Sequence, residues 1–351
     1  VNKIRADFPI LSRNVNNKPL VYLDNGSSAQ KPKAVIDAVS KAYSEEYSNV
    51  HRGLHTLSNL ATDNYESVRG KIQNFLGAEH PEEIIFNSGA TEGINTVSYS
   101  WAVPNLKAGD EIILSIMEHH ANIIPWHFLR ERQGVVIKWV ETDENGDLDA
   151  QAVIDAINPK TKLIAITQMS NVLGTVVDVK EICRVAQEKN IATLIDGSQS
   201  SVHLPINVKD IGCDFFVITG HKLYGPSSSG ALYARKKRHE EMINFMGGGD
   251  MIKIVERDHV TYNISPHRFE AGTPGIVQMI GLGAAIDYMQ EIGTDHIAKH
   301  ETSLRDYANT KLSKLDFLNI QGNSVNKGAI FSFTLNGAGH PHDISTIIDQ
   351  R

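Results

Sequence analysis

The segment Phe215-Phe216-Val217-Ile218-Thr219-Gly220-His221-Lys222-Leu223-Tyr224-Gly225-Pro226 decides the reading of this 351-residue chain. Aromatic and β-branched residues in a row predict a buried strand, and the glycine ends it. A lysine follows two residues later. A lysine at the end of a buried strand loses hydration, which lowers its pKa and leaves the amine nucleophilic. Such an amine can condense with an aldehyde cofactor. Taken alone, Lys222 reads far more readily as a surface lysine in a turn, so its neighbours must decide.

Working outward, seven short apolar runs recur: 83–86, 111–115, 135–140, 162–167, 192–195, 215–219 and 230–234. Helical patterns separate most of them, at 91–102, 122–132 and 179–189. This alternation predicts an α/β fold with a mostly parallel seven-stranded sheet and helices on both faces. The first ~80 residues read as mainly helical with polar loops. Beyond Gly275, helices at 276–292 and 294–314 lead to strand-like runs at 317–320 and 329–335 and a helical start at Asp343. The expected division is a large cofactor-binding α/β domain over 18–275 and a smaller α+β domain built from 1–17 and 276–351.

In open α/β sheets, ligands bind beyond the C-terminal strand ends. Five polar clusters fall there: Ser88-Gly89-Ala90-Thr91-Glu92, Glu118-His119-His120, Ser170-Asn171, Asp196-Gly197-Ser198-Gln199 and Thr219-Gly220-His221-Lys222. Each supports one part of a common chemistry. Asp196 could hold a protonated pyridine nitrogen and keep a ring electron-withdrawing; alone it reads equally as a helix N-cap. Gln199 could donate to a phenolic oxygen, or complete a capping box. The Ser88–Thr91 turn offers amides, a helix dipole and a hydroxyl to an anion, a weak signal by itself. Thr219 and His221 add phosphate donors beside Lys222. His119 could stack on a ring and shuttle protons, with His120 an adjacent alternative.

Composition limits the other possibilities. With 34 basic and 41 acidic residues the net charge is −7, which gives no general attraction to nucleic acid. The basic run Arg235-Lys236-Lys237-Arg238 reads as a solvated helix start. No apolar run approaches the ~18 residues of a membrane span, and residues 1–7 lack a signal-peptide core. Low cysteine usage fits a reducing cytoplasmic compartment. Cys183 and Cys213 have no metal-site spacing and read as structural, so no metal is expected. Gly247-Gly248-Gly249 lacks the Lys-Ser/Thr sequel of a phosphate loop and reads as a flexible segment near a subunit contact.

Taken together, these residues resemble the class V aminotransferase family of pyridoxal-phosphate (PLP) enzymes, specifically the Suf-type cysteine desulfurases and their selenocysteine lyase relatives. Seven blocks carry the resemblance in order: Tyr22-Leu23-Asp24, Asn49-Val50-His51-Arg52-Gly53, Ala90-Thr91-Glu92-Gly93-Ile94-Asn95, Glu118-His119-His120-Ala121-Asn122, Ser170-Asn171-Val172-Leu173-Gly174, Gly220-His221-Lys222-Leu223-Tyr224-Gly225-Pro226 and Phe269-Glu270-Ala271-Gly272-Thr273-Pro274. The resemblance implies the PLP-dependent transferase fold type I and pyridoxal 5'-phosphate as cofactor. It implies that Lys222 binds the cofactor covalently and moves protons at the substrate Cα. Asp196 would pair with the pyridine nitrogen, Gln199 with the phenolic oxygen, and His119 would stack on the ring. Ala90, Thr91, Thr219 and His221 would hold the phosphate. Thr273 would reach the cofactor phosphate of a partner subunit in a homodimer, and His51 and Asn171 would line the substrate side.

The implied reaction converts L-cysteine to L-alanine and passes sulfur as a persulfide to a SufE- or SufU-like acceptor for iron–sulfur cluster assembly. The family's persulfide cysteine lies in an Arg-x-Gly-His-His-Cys segment that would follow Arg351, as would an arginine that clamps the substrate carboxylate. The small domain is therefore expected to be C-terminally incomplete. A chain ending at Arg351 is expected to bind cofactor without desulfuration. The alternatives are a selenocysteine lyase or other class V enzyme, or a catalytically incomplete PLP-binding protein.

Overall fold

The computed structural model describes residues 2–337 and 339–350, so Val1, Ala338 and Arg351 lie outside the described residues. All seven predicted runs form strands of one sheet: β1 (Ile84–Asn87), β2 (Glu111–Ser115), β3 (Val136–Val140), β4 (Thr161–Thr167), β5 (Ala192–Asp196), β6 (Phe215–Thr219) and β7 (Gly230–Ala234). Their order is β1-β7-β6-β5-β4-β2-β3. β2 pairs in parallel with β3 and β4, β4 with β5, and β5 with β6. Only β7 runs the other way, antiparallel to both β1 and β6. The remaining six strands therefore share one direction, and the turns that follow them lie along one edge.

The strands lack polar alternation because both sheet faces are covered. Phe215 and Val217 enter one core with Leu194, Leu163 and Leu114. Phe216 and Ile218 enter the other with Ile195, Ile164 and Ile113. Each such side chain contributes ~1.5–3 kcal/mol by leaving water.

The helices that matter for the site are α1 (Lys33–Glu45), α2 (Thr56–Leu76), α3 (Ala90–Thr96), α4 (Ile124–Gln133), α5 (Val179–Glu188), α6 (Ile276–Ile292) and α7 (Thr294–Leu312). α3 continues into a wider π turn at Val97–Ala102, completing the predicted 91–102 helix. α6 lies against α1 and α2 through glycines: a Cβ at Gly281 would sit 2.8 Å from Val39, and one at Gly283 would sit 2.9 Å from Val68. Beyond α7, the strands Leu318–Gln321 and Ser332–Leu335 pair as a hairpin, and a helix follows at Pro341–Asp349. Among the described residues no helix is long and apolar enough to cross a membrane.

The basic run at 235–238 departs from expectation. A short helix does form at Lys236–His239, but Arg238 is buried. Its guanidinium donates to the buried Asp214 at 3.0 Å and to Glu241 at 2.8 Å, and it lies over the Trp101 ring. Asp214 draws the arginine inward, because a carboxylate buried at the start of β6 requires a cation.

Candidate active site at the strand ends

The turns after β1 and β6 meet at Gly89 and Thr219, and those after β2, β5 and β6 bring His119, Asp196 and Lys222 near one another. Lys222 lines a cavity of about 360 Å³ with Tyr22, Asn25, Ala29, Gln199 and His203. Burial lowers the Lys222 pKa, and the Asp196 carboxylate partly offsets this. Asp196 is itself buried at the end of β5; Oδ1 accepts from the Ser198 amide at 2.9 Å. Oδ2 makes no hydrogen bond among the described residues. Gln199 donates through Nε2 to the Gly26 carbonyl at 2.7 Å, which ties the 24–28 turn to the site.

His119 follows β2 and feels both Asp196 and Lys222. Burial lowers its pKa, and its Nδ1 accepts from the Ala121 amide at 3.1 Å. His221 also titrates low, through burial and the positive charges of Lys222 and Lys31. The amine of Lys31 donates to the His221 carbonyl at 3.1 Å, and Ala29 donates its amide to the same oxygen at 3.0 Å. Asn171 is half-buried after β4.

The turn between β1 and α3 is built for close approach. Gly89 has φ +136°, a conformation that L side chains rarely adopt, and a Cβ there would stand 3.1 Å from Thr219 Oγ1. A Cβ at Gly230 would in turn press to 2.6 Å from Gly89 Cα. The two glycines let the Gly89-Ala90-Thr91 backbone rest against the end of β6. Thr91 is exposed there, while Thr219 is buried beside it.

His51 and Thr273 fall elsewhere. His51 lines a second cavity of about 290 Å³ with Tyr65, Asp250, His267 and the residues on either side of Thr273. Its Nε2 meets Glu66 Oε1 at 2.9 Å, and this contact raises the His51 pKa. Burial pushes the Glu66 carboxyl up, but hydrogen bonds from His51 and Arg69 outweigh it and bring it down to about 2. His51, Glu66 and His267 converge closely enough to suggest a cation site. Both Glu66 oxygens already accept from Arg69, so the cluster is an ion-pair network.

Arg69 is the centre of that network. Nε and Nη2 donate to Glu66, Nη1 to the Ile84 carbonyl and to Glu270 Oε1, and Nη2 also to Glu270 Oε2. The guanidinium stacks 4.0 Å over the Phe86 ring. Glu270 accepts the Phe86 amide at 2.7 Å, so the segment leading to Thr273 is fastened to β1.

The cavity residues His203 and Glu301, 2.6 Å apart, carried no sequence signal, because they lie far apart on α-helical segments. Tyr22 stood in a recognisable block without an assigned role.

The aminotransferase class-V family model matches residues 21–351. The chain belongs to that family. A relative from Xylella fastidiosa named probable cysteine desulfurase is 47% identical over 347 residues, covering 99% of this chain and 83% of the relative. Among solved structures, the apo cysteine desulfurase of Thermococcus onnurineus superposes with TM-score 0.93 at 33% identity, covering 99% of this chain and 85% of that one. The Escherichia coli cysteine desulfurase CsdA superposes with TM-score 0.90 at 32% identity, covering 99% and 86%.

The class V site of this chain offers what a pyridoxal phosphate needs. It has the desolvated Lys222 amine, the buried Asp196 carboxylate with an uncommitted oxygen, the Gln199 amide lining the same cavity as Lys222, and a glycine cradle beside two hydroxyls. The cradle is the structural test, since a Cβ at Gly89 would fill the approach to Thr219.

Proposed function

We propose that this protein is a PLP-dependent cysteine desulfurase, releasing L-alanine from L-cysteine and passing the sulfur to a thiol acceptor. The observation that carries the reading is the electrostatic meeting of Lys222, Asp196 and His119 at one set of strand ends. When bound, pyridoxal phosphate supplies an aldehyde for amines and a ring that draws electrons from the substrate Cα. Lys222 would hold the cofactor and, with its lowered pKa, would take and return the proton at Cα. Asp196 holds the proton on the pyridine nitrogen through its free oxygen. Gln199 has a second amide hydrogen for the phenolic oxygen. His119 would cover the ring, and Asn171 would stand on the substrate side. Ala90, Thr91, Thr219 and His221 form the phosphate cradle.

The second cavity supports a homodimer reading. His51 and the Thr273 segment are displayed together away from Lys222, where they can serve a partner's site. A SufE- or SufU-like acceptor and a cytoplasmic setting complete the proposal. The large-domain limits of 18–275, with 1–17 and 276–351 forming the small domain, belong to the same reading.

The second reading is selenocysteine lyase. Burial raises the Cys183 thiol to about 12 and also raises the Cys213 thiol, and neither lines the Lys222 cavity. Selenide elimination depends less on an enzyme thiol. The deciding experiment mixes the protein with pyridoxal phosphate and measures alanine from L-cysteine, with a thiol reductant as acceptor, and from L-selenocysteine. No visible cofactor band would refute both readings, and a band with no alanine from either amino acid would leave the catalytically incomplete PLP-binding protein.

A further inference from the structure

The buried acid beside His119 is not used by the chemistry above. Among the described residues Glu118 has no cation partner, yet both oxygens of its carboxyl group accept hydrogen bonds. Oε1 accepts from Ser115 Oγ at 2.5 Å and from the Thr167 amide at 3.0 Å, and Oε2 accepts from Asn122 Nδ2 at 2.7 Å. Asn122 Oδ1 in turn accepts from the indole N–H of the buried Trp126 at 3.0 Å. The carboxyl thus joins the end of β2 to the end of β4. Thr167 Oγ1 also reaches the Asp196 carbonyl at 3.5 Å. Asn122 closes the short turn whose Ala121 amide holds the His119 ring, and its own amide donates to the His119 carbonyl at 2.7 Å.

We propose that Glu118 is the positioning residue for His119, locking the imidazole to the strand ends that carry Asp196. The inference rests on the proposed place of His119 over the cofactor ring.

The wire fixes which side chain can stand at 118. The indole can only donate, so Asn122 must present its amide hydrogens to residue 118. The Thr167 amide can also only donate. A glutamine would have to turn its own NH₂ toward one of these two donors in either orientation. A carboxyl group meets both, and the Ser115 hydroxyl can donate to it or accept from it as its protonation changes. Burial raises the Glu118 pKa to about 8 against the pull of Ser115, Asn122 and Thr167, with Asp196 adding to the rise.

The test compares wild type, E118Q, H119A and E118Q/H119A, each saturated with pyridoxal phosphate. It reads circular dichroism of the bound cofactor, kcat and KM for alanine release, and thermal midpoint. A positioning role predicts that E118Q shifts the cofactor dichroism toward that of H119A. It also predicts that kcat falls on the order of tenfold with little change in KM, an amount typical of coupled neighbours. In the H119A background E118Q should change kcat by less than about twofold. Equal, additive losses in both backgrounds, or unchanged dichroism with only a lowered thermal midpoint, would overturn the inference. Should E118Q not fold, W126F/E118Q decides. Removing the indole donor frees Asn122 to reverse its amide, so this variant is expected to fold with near-wild-type dichroism; if it does not, the inference is wrong. If wild type takes up no pyridoxal phosphate, the function proposed above fails first and the inference falls with it.

Discussion

Replacing Arg69 with methionine tests the network that fastens the Thr273 segment to the sheet. All five guanidinium hydrogens are donated, to Glu66, Glu270 and the Ile84 carbonyl. Methionine fills similar volume over Phe86 but leaves the Glu270 carboxylate buried with only the Phe86 amide and His267 nearby. Breaking one partner of a buried pair costs ~3–5 kcal/mol, because the remaining charge is uncompensated. With a urea slope of about 3 kcal/mol/M, the unfolding midpoint should fall by about 1–1.7 M. Glu66 adds little to this loss, since it is partly exposed and keeps His51. The companion variant R69M/E270Q removes both charges while its amide oxygen still accepts from Phe86. It should therefore lose clearly less than R69M alone. The assay is urea unfolding of the cofactor-free protein followed by tryptophan fluorescence. A double variant as unstable as the sum of the two single variants would refute the idea that an orphaned charge sets the cost.

Lys222→Ala should abolish the visible absorption of bound pyridoxal phosphate, while the protein keeps its thermal midpoint; an unchanged spectrum would remove Lys222 from its role. Gly197→Ala would place a Cβ 2.1 Å from the buried Phe216 ring, and overpacking of this kind costs ~1–3 kcal/mol. Because Gly197 adjoins Asp196, equilibrium dialysis of pyridoxal phosphate should show weaker binding by this variant. The Glu66–His51 pair sets a pH window. Glu66 falls from 4.5 to about 2 on folding, so its contribution is present above pH 4.5 and disappears as pH drops toward 2. His51 is raised above 6.5, so its contribution is complete below 6.5 and fades as pH rises through the folded value. Thermal midpoints of wild type and Glu66→Gln should therefore differ most between pH 4.5 and 6.5, converge as pH falls toward 2, and keep the Arg69 part of the difference at higher pH. Cys183 and Cys213 should resist a chromogenic disulfide reagent in the native protein and react only on unfolding; fast native reaction would contradict their burial.

The sheet was legible because each strand is an uninterrupted apolar run ended by a turn residue, and seven runs became seven strands. Lys222, Asp196, Gln199 and His119 were legible for a related reason: strand direction alone decides which turns share an edge. The rest depended on contacts between distant positions. Nothing local distinguishes Arg69 from a surface arginine until Glu270, 201 residues away, is seen opposite it. Arg238 was misread as solvated because Asp214 lies 24 residues earlier and shows no charge pattern with it. Glu118 was quoted inside a motif, but its three donors come from separate elements. Polar groups that close such networks follow no period, so hydropathy cannot reveal them.

The single reversed strand, β7, sits between β1 and β6, which are far apart in the chain. The glycine cradle at residue 89 can meet Thr219 only after β7 has been inserted between them, since Gly230 touches both sides. Half of the anion pocket is thus synthesised more than a hundred residues before the element that brings the halves together. Cofactor uptake by the growing polypeptide should lag behind helix formation, making the yellow colour a late timestamp of maturation.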